Sequence, residues 1–492
     1  MSAITSASRL SPVAAIFRDV VLPITAAGGF VDLRQWYPRP PGQPAKSSPC
    51  PTTLRRGRGR SCQTTRQRRQ SMFPSRRTFL SMATAAAATL VLRARAHQQT
   101  TIRICYAPAS LRGLYEALAR RFMETRPDIR VVLDSPAVDY DGLVQQTLRQ
   151  NITKQLPDIS HQGLNQIRPL ADRGIAVPLD RFIAGDPAWK TIGVPQEVTS
   201  FASYGGKTCA LPFAISVPVL FYNMDLVKKA GGDPDNLPDD WNGVIALGRK
   251  IGALGEGTGG LYVEYTNNGW SFQTLVGAFG GRMMSEDETR ITFDGPAGLQ
   301  ALQLLQRLGK EGQPGFERDQ ARQAFRAGKL GILFGASSAL NGYQQSAAGN
   351  FRLKVGSLPV SSASDRLPAA GNGIVMLTDD PDRQKACWDY IKFAVGTAGQ
   401  TIMVEATGYV PVNLAAISNP AGLGKFFDAH PEHRIASQRI AMMTGWFAFP
   451  GENNSRIIKA IEDHCYLVVS QKQDPAAALS SLVKDVDALL PH

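Results

Sequence analysis

The sequence predicts a two-lobed α/β protein, and three observations predict it. Strand and helix patterns alternate in order from residue 101 onward. The segment from His97 to the end holds about 396 residues, more than one core usually organises. No stretch of about 20 apolar residues follows His97, so this segment is expected to be soluble.

Residues 101–106 alternate apolar and polar side chains, the period of a strand. Leu111, Leu114, Tyr115, Leu118, Phe122 and Met123 then draw one helix face over 111–125, stopped by Arg126-Pro127-Asp128. Residues 129–133 read as a second strand, and strand–helix–strand in this order argues a parallel sheet. The pattern continues with a helix over 141–151, a strand entry at Pro157-Asp158-Ile159 and an apolar, partly β-branched strand at 217–222. Asp239 or Asp240 is placed to cap a helix that runs through Lys250. Helices are expected at 299–308, 320–326, 384–393 and 457–469, and a buried strand at 331–335. No internal repeat and no long linker interrupts them.

The formal charge of +13 is concentrated at one end. Residues 1–96 hold 16 of the 54 lysines and arginines and 2 of the 41 carboxylates, which leaves 38 basic against 39 acidic residues in the body. A nearly neutral body has no excess to drive counterion release, so nucleic acid is not an expected partner. Residues 72–96 read as an export signal. Arg76 and Arg77 resemble a twin-arginine pattern, residues 81–92 are apolar and free of charge, and Ala94-Arg95-Ala96 makes a small-x-small cleavage site before His97. That apolar run is about half of what spans a bilayer. Residues 1–71, rich in proline, arginine, serine and glycine, read as a disordered basic extension or as a start assigned too early, with Met72 as the initiator. No cysteine follows the cleavage site directly, so no lipid anchor is expected. Cys105, Cys209, Cys387 and Cys465 have neither metal-knuckle nor CxxC spacing and are expected to be reduced.

Four further segments resemble one family. They are the run LPFAISVPVLFYN over 211–223, DLVKKAG over 225–231, FRAGKLG over 325–331, and Gly408-Tyr409-Val410-Pro411-Val412. Their order and wording resemble the family 1 extracellular solute-binding proteins, whose members include maltose-binding and glycerol-3-phosphate-binding proteins. The resemblance spans nearly all of residues 100–490. It implies a type II periplasmic binding protein with hinge crossings and a cleft between lobes. Lobe 1 is then expected at 97–213 and 361–409, and lobe 2 at 214–360 and 410–492. The implied function is capture of a sugar or polyol phosphate in the periplasm for an ABC permease, by a monomer without cofactor or metal.

The resemblance also implies ligand contacts at Tyr140, Ser216, Trp270, Ser337, Gly371, Tyr409 and Arg456. Each has a second reading. Trp270 stacks on ligand or starts a buried helix. Tyr140 contacts ligand or staples a helix start. Ser337 and Ser338 follow a buried strand, and aim hydroxyls at ligand or cap a helix. Gly371-Asn372-Gly373 lets backbone approach a ligand or makes a turn. Tyr409 and Arg456 match phosphate-holding positions, where a guanidinium fork suits an anion; the other reading of Arg456 is a surface charge. One position departs from the family. Leu164 stands where the glycerol-3-phosphate binders carry a glutamate, which leaves His161, Gln162 or Asn165 as substitutes. Trp446, Phe447 and Phe449 line the cleft or pack a core.

An enzyme is the main rival from another class, acting on a sugar phosphate, and a ligand-presenting sensor is another. The body has few histidines and no HExxH, GxSxG or P-loop pattern, which argues against catalysis. No adjacent tyrosine pair suggests iron capture.

Overall fold

The computed structural model describes residues 99–491, apart from residues 256, 363 and 364. The export signal and basic extension expected over 1–96 lie outside the described residues.

Along the chain, β1 (Thr100–Tyr106) leads into α1 (Arg112–Thr125), which buries Leu114, Tyr115, Leu118 and Phe122 on one face. After β2 (Ile129–Leu133), α2 (Tyr140–Ile152) begins where the Asp139 carboxylate accepts from the Gly142 amide at 2.7 Å. β3 (Ile159–Gly163) follows, and later a hairpin of β4 (Ser203–Tyr204) and β5 (Lys207–Thr208). β6 (Leu211–Ser216) and β7 (Pro218–Asn223) are fully buried and separated only by Val217. α3 (Trp241–Gly252) is capped by Asp240 rather than Asp239 and leads to β8 (Gly259–Val263). Next come α4 (Trp270–Ala278), α5 (Pro296–Lys310), α6 (Arg318–Arg326) and β9 (Leu330–Ala336). α7 (Leu340–Ala347), β10 (Leu353–Ser357), β11 (Leu367–Pro368) and β12 (Ala370–Met376) follow. The chain continues with α8 (Pro381–Val395), α9 (Thr397–Ala406), β13 (Val410–Pro411) and β14 (Met443–Thr444), then α10 (Asn454–Val469) and α11 (Pro475–Asp487).

Two main sheets divide these elements into lobes. The first has the order β13-β6-β12-β3-β1-β2; the second has the order β10-β7-β9-β8. The predicted parallel arrangement holds for β2, β1 and β3, whereas β12, β6 and β13 run antiparallel to their neighbours. The second sheet pairs β8 and β9 parallel, with β7 and β10 antiparallel. β13 pairs with β6, so residues 410–411 still belong to the first sheet. The boundary expected at 409/410 therefore falls inside that sheet. The chain joins the second lobe by α10, which packs on α5 and α11. The first crossing, expected after residue 213, comes after Ser216, because β6 keeps its pairing with β12 through Ser216–Ala370.

The crossing at Val217 is clamped. Its amide donates to Ser337 Oγ at 3.2 Å, and its carbonyl accepts from the Ser337 amide at 2.9 Å. Ser337 directly follows β9, so the two central strands of the second lobe and the last residue before it are fixed together.

Two buried charged or titratable groups shape the cores. In the second lobe Arg322 forks both carboxylate oxygens of Glu264, each at 2.6 Å, and Glu264 is 1 % exposed. In the first lobe His161 sits edge-on to Tyr115, Phe213 and Tyr390. Burial pulls its pKa down to about 3, so the ring stays neutral. The four cysteines among the described residues are free and buried, and burial raises each thiol's pKa, which makes them poor nucleophiles.

These groups generate two predictions. Arg322→Met leaves Glu264 without its counter-charge and should cost about 3–5 kcal/mol in urea unfolding, part of it recovered by adding Glu264→Gln. A wild-type-like stability for Arg322→Met alone would contradict the buried pair. For His161, the folded pKa lies below the unfolded value of about 6.5. Its contribution is therefore present above pH 6.5 and lost as pH falls from there toward 3, because the unfolded chain takes the proton first. His161→Phe should flatten the acid side of the stability profile; a difference between variant and wild type that is constant from pH 7 to pH 4 would refute this.

Candidate functional site

Tyr140 is the first residue of α2, and Gly163 is the last of β3. A Cβ at Gly163 would lie 2.7 Å from the Tyr140 ring, so glycine is what lets the ring lie over the strand end. The Tyr140 hydroxyl accepts from Asn372 Nδ2 at 3.1 Å and lies 3.4 Å from the Tyr409 hydroxyl. Asn372 stands in β12 opposite Gly163 and Ala214. Beside it, Gly371 has φ +112°, and a Cβ there would lie 1.9 Å from the Ala214 carbonyl oxygen. Tyr409 comes from the turn between α9 and β13, where its amide donates to Thr407 Oγ1 at 3.1 Å. Its neighbour Gly408 packs against the Ser337 carbonyl so closely that a Cβ would lie 2.0 Å away. The Ser338 hydroxyl, from the second lobe, lies close enough to the Tyr409 hydroxyl to favour its ionised form.

This cluster is made of neutral groups. Burial raises the pKa of both phenols above the usual tyrosine value, so each keeps its proton. Each hydroxyl can donate and accept, and Asn372 supplies both functions as an amide. The buried Tyr115 hydroxyl has no hydrogen-bond partner among the described residues.

A polar seam continues from the cluster between the lobes. Asp141 accepts from Gln166 and from Ser455, the latter at 3.3 Å. The Asn165 carbonyl accepts from Asn454 Nδ2 at 3.0 Å. Arg168 pairs with Glu288 at 2.6 Å and donates to the Ala448 carbonyl at 3.2 Å. Burial raises the pKa of Asp141, and also that of Glu462, which accepts from the Gly269 amide at 3.3 Å. Next to Arg168's partners lies a cavity of about 480 Å³ whose walls include Phe201, Tyr204, Met283, Met284, Trp446 and Phe447.

The structure brings together some of the sequence-predicted residues and separates others. Tyr140 and Tyr409 meet, with Gly371 beside their partner Asn372. Ser216 is buried at the end of β6, next to the crossing. Ser337 uses its hydroxyl on Val217, and Ser338 reaches Tyr409 instead. Trp270 is a buried core residue, not an exposed stacking surface. Its indole N–H donates to the Pro368 carbonyl at 2.8 Å, and its face stacks on Phe334 at 6.0 Å between centroids. Arg456 is exposed on α10 and donates to Asn453 Oδ1 at 3.1 Å, on its own helix turn. The Gly371-Asn372-Gly373 run is strand, not turn, with a register shift between Asn372 and Gly373. Asn372 is the member of this cluster that the sequence pattern underrated, since flanking glycines hid the strand.

Comparison with known proteins agrees with this fold. UgpB of Yersinia pestis, an sn-glycerol-3-phosphate-binding periplasmic protein, is 24 % identical over 398 residues, covering 76 % of this chain and 88 % of that one. UgpB of Agrobacterium fabrum is 23 % identical over 452 residues, covering 83 % and 97 %. Among solved structures, UgpB from Mycobacterium tuberculosis in complex with glycerophosphocholine superposes with a TM-score of 0.70 at 20 % identity, over 78 % of this chain and 97 % of that chain. The GacH receptor of Streptomyces glaucescens, solved unliganded and with acarbose, gives 0.68 at 20 % identity, over 80 % and 99 %. These likenesses show the two-lobed binding-protein fold. The family model described as bacterial extracellular solute-binding protein matches residues 117–434, well over half of the sequence, and the chain belongs to that family.

Proposed function

We propose that the protein is the solute-capturing component of an ABC importer, closing its lobes on a sugar or a polyol phosphate and delivering it to a permease in the inner membrane. The observation that supports this best is the uncharged set of buried Asn372 and Tyr409 with half-buried Tyr140 and Ser338, drawn from both lobes. Hydroxyls and amides without charge suit a polyhydroxy ligand, whose groups also donate and accept. A ligand touching both lobes binds the closed arrangement better than the open one and shifts the population toward it. The permease then reads closure as occupancy. Binding without turnover fits the absence of HExxH, GxSxG and P-loop patterns in the sequence. Export by the twin-arginine route to the periplasm is part of the same reading and rests on residues 72–96 of the sequence.

A phosphate on the ligand is a separable question. Arg456 stands at the start of α10, one residue from Ser455 in the seam. A rotation of its long side chain gives a guanidinium fork for an anion.

The test is thermal unfolding of the purified protein against maltose, other sugars, polyols and their phosphate esters. A ligand at 100 times its Kd should stabilise the folded state by about 2.7 kcal/mol, a rise of several degrees that grows with concentration. Tyr140→Phe should weaken the binding of the responding ligand about 10-fold, and Gly163→Ala more, because it displaces the ring. Arg456→Ala should weaken only phosphate esters. If no compound shifts the transition, the ligand class is wrong; if Tyr140→Phe binds like wild type, the site is misplaced.

A further inference from the structure

Residues 161–166 form the end of β3 and the short turn after it, and the structure shows how each side chain is held. Leu164 is fully buried, and its carbonyl accepts from the Tyr204 hydroxyl at 3.1 Å. His161 is held among three aromatic rings, with Nδ1 3.4 Å from Asn372 Oδ1 and Nε2 3.4 Å from the Tyr390 hydroxyl. Gln162 donates to Thr147 and Ser160, at 3.0 and 2.8 Å, and only its Oε1 lacks a partner among the described residues. Asn165 differs from all three. It is fully buried, its backbone carbonyl is bonded across the seam by Asn454, and neither its Oδ1 nor its Nδ2 has a hydrogen-bond partner among the described residues. The neighbouring Gln166 spends its Nε2 on Asp141 and leaves Oε1 without a partner among the described residues.

A buried amide with both functions unmet is costly, whereas the same amide in water or against a complementary group is not. Asn454, which bonds the Asn165 carbonyl, belongs to the opposite lobe, so separation of the lobes breaks this contact. We propose that Asn165 is the specificity residue of this site. It pairs with an uncharged vicinal diol of the ligand and, with no ligand present, disfavours closure of the lobes. The pairing follows from the chemistry. One hydroxyl of a diol donates to Oδ1 and the next accepts from Nδ2, which neither a carboxylate nor an ammonium can do alone. Gln166 Oε1 is an acceptor for a further hydroxyl. The diol half of the proposal rests on the polyhydroxy-ligand reading above; the closure half does not.

The experiment pairs two measurements on the full protein. Single-molecule energy transfer between one dye on each lobe gives the ligand-free closed fraction. Calorimetry gives affinity for three probes, namely maltose, glycerol 3-phosphate and glycerophosphocholine. Asn165→Leu removes the amide at similar size. It should raise the ligand-free closed fraction several-fold and weaken the responding probe at least 10-fold. Asn165→Asp keeps the acceptor and loses the donor; it should lower both closure and affinity. Opposite signs for the leucine variant identify a residue that needs its ligand. A rise in both closure and affinity overturns the diol half, because Asn165 then only opposes closure. An unchanged closed fraction overturns the closure half. If no probe binds wild type, the ligand class fails while the dye measurement still decides the closure half. If Asn165→Leu does not fold, Asn165→Asp decides both, and wild-type values for it overturn the proposal.

Discussion

One residue separates the two sheets. β6 ends at Ser216 and β7 begins at Pro218, so the backbone passes from one lobe to the other at Val217. Both bonds of Val217 to Ser337 are made by a residue that itself closes β9, which ties the crossing to the centre of the second sheet. Relative motion of the lobes must then be taken up close to this point, and the site next to it must be built from strand ends and short turns. That is what is seen. Tyr409 and Gly408 abut Ser337 and Ser338, while Gly371 lies against the last turn of β6. Glycines stand where backbone approaches too closely for any side chain, at 371 against Ala214 and at 408 against Ser337.

The same constraint explains the chemistry of the site. A group held beside a crossing and covered by both lobes loses water on closure, and a charge there would need a partner brought along. The residues that converge on the crossing are phenols, a serine and an amide. Charge is placed elsewhere. Arg168 and Glu288 bridge the lobes farther along the seam, and Glu264 with Arg322 lies inside the second lobe. Asp141 and Glu462 lie in the seam, and burial raises the pKa of each, so the carboxylate form is disfavoured there.

Much of this was legible in the sequence, and the reason lies in periodicity. α1, β2 and α6 declared themselves by spacing, and β6 with β7 by an unbroken apolar run. Tyr140 and Tyr409 were found by family resemblance and do meet. What stayed hidden depends on partners distant in sequence. β12 carries Gly-Asn-Gly, a turn-like composition, and is a strand because β3 and β6 hold it on both sides. Trp270 follows turn formers and suggests an exposed ring, yet Phe334 and Pro368 enclose it. The crossing expected at 409/410 missed because two residues, Val410 and Pro411, add a sheet-edge strand too short to show a period.

Asn165 illustrates how a departure from family pattern becomes intelligible only in three dimensions. In one dimension Leu164 simply lacks a carboxylate. In the fold, that position turns inward to fill the core, and its carbonyl is fixed by Tyr204, which lines the adjoining cavity. The backbone therefore presents the next residue to the seam. An asparagine there carries a buried amide with no partner among the described residues. The partner available in the protein, Asn454, bonds the carbonyl and leaves the side chain alone. A binding protein gains from such an arrangement, since a site fully satisfied when empty would have no reason to open, and one that stays unsatisfied without solute separates empty from filled.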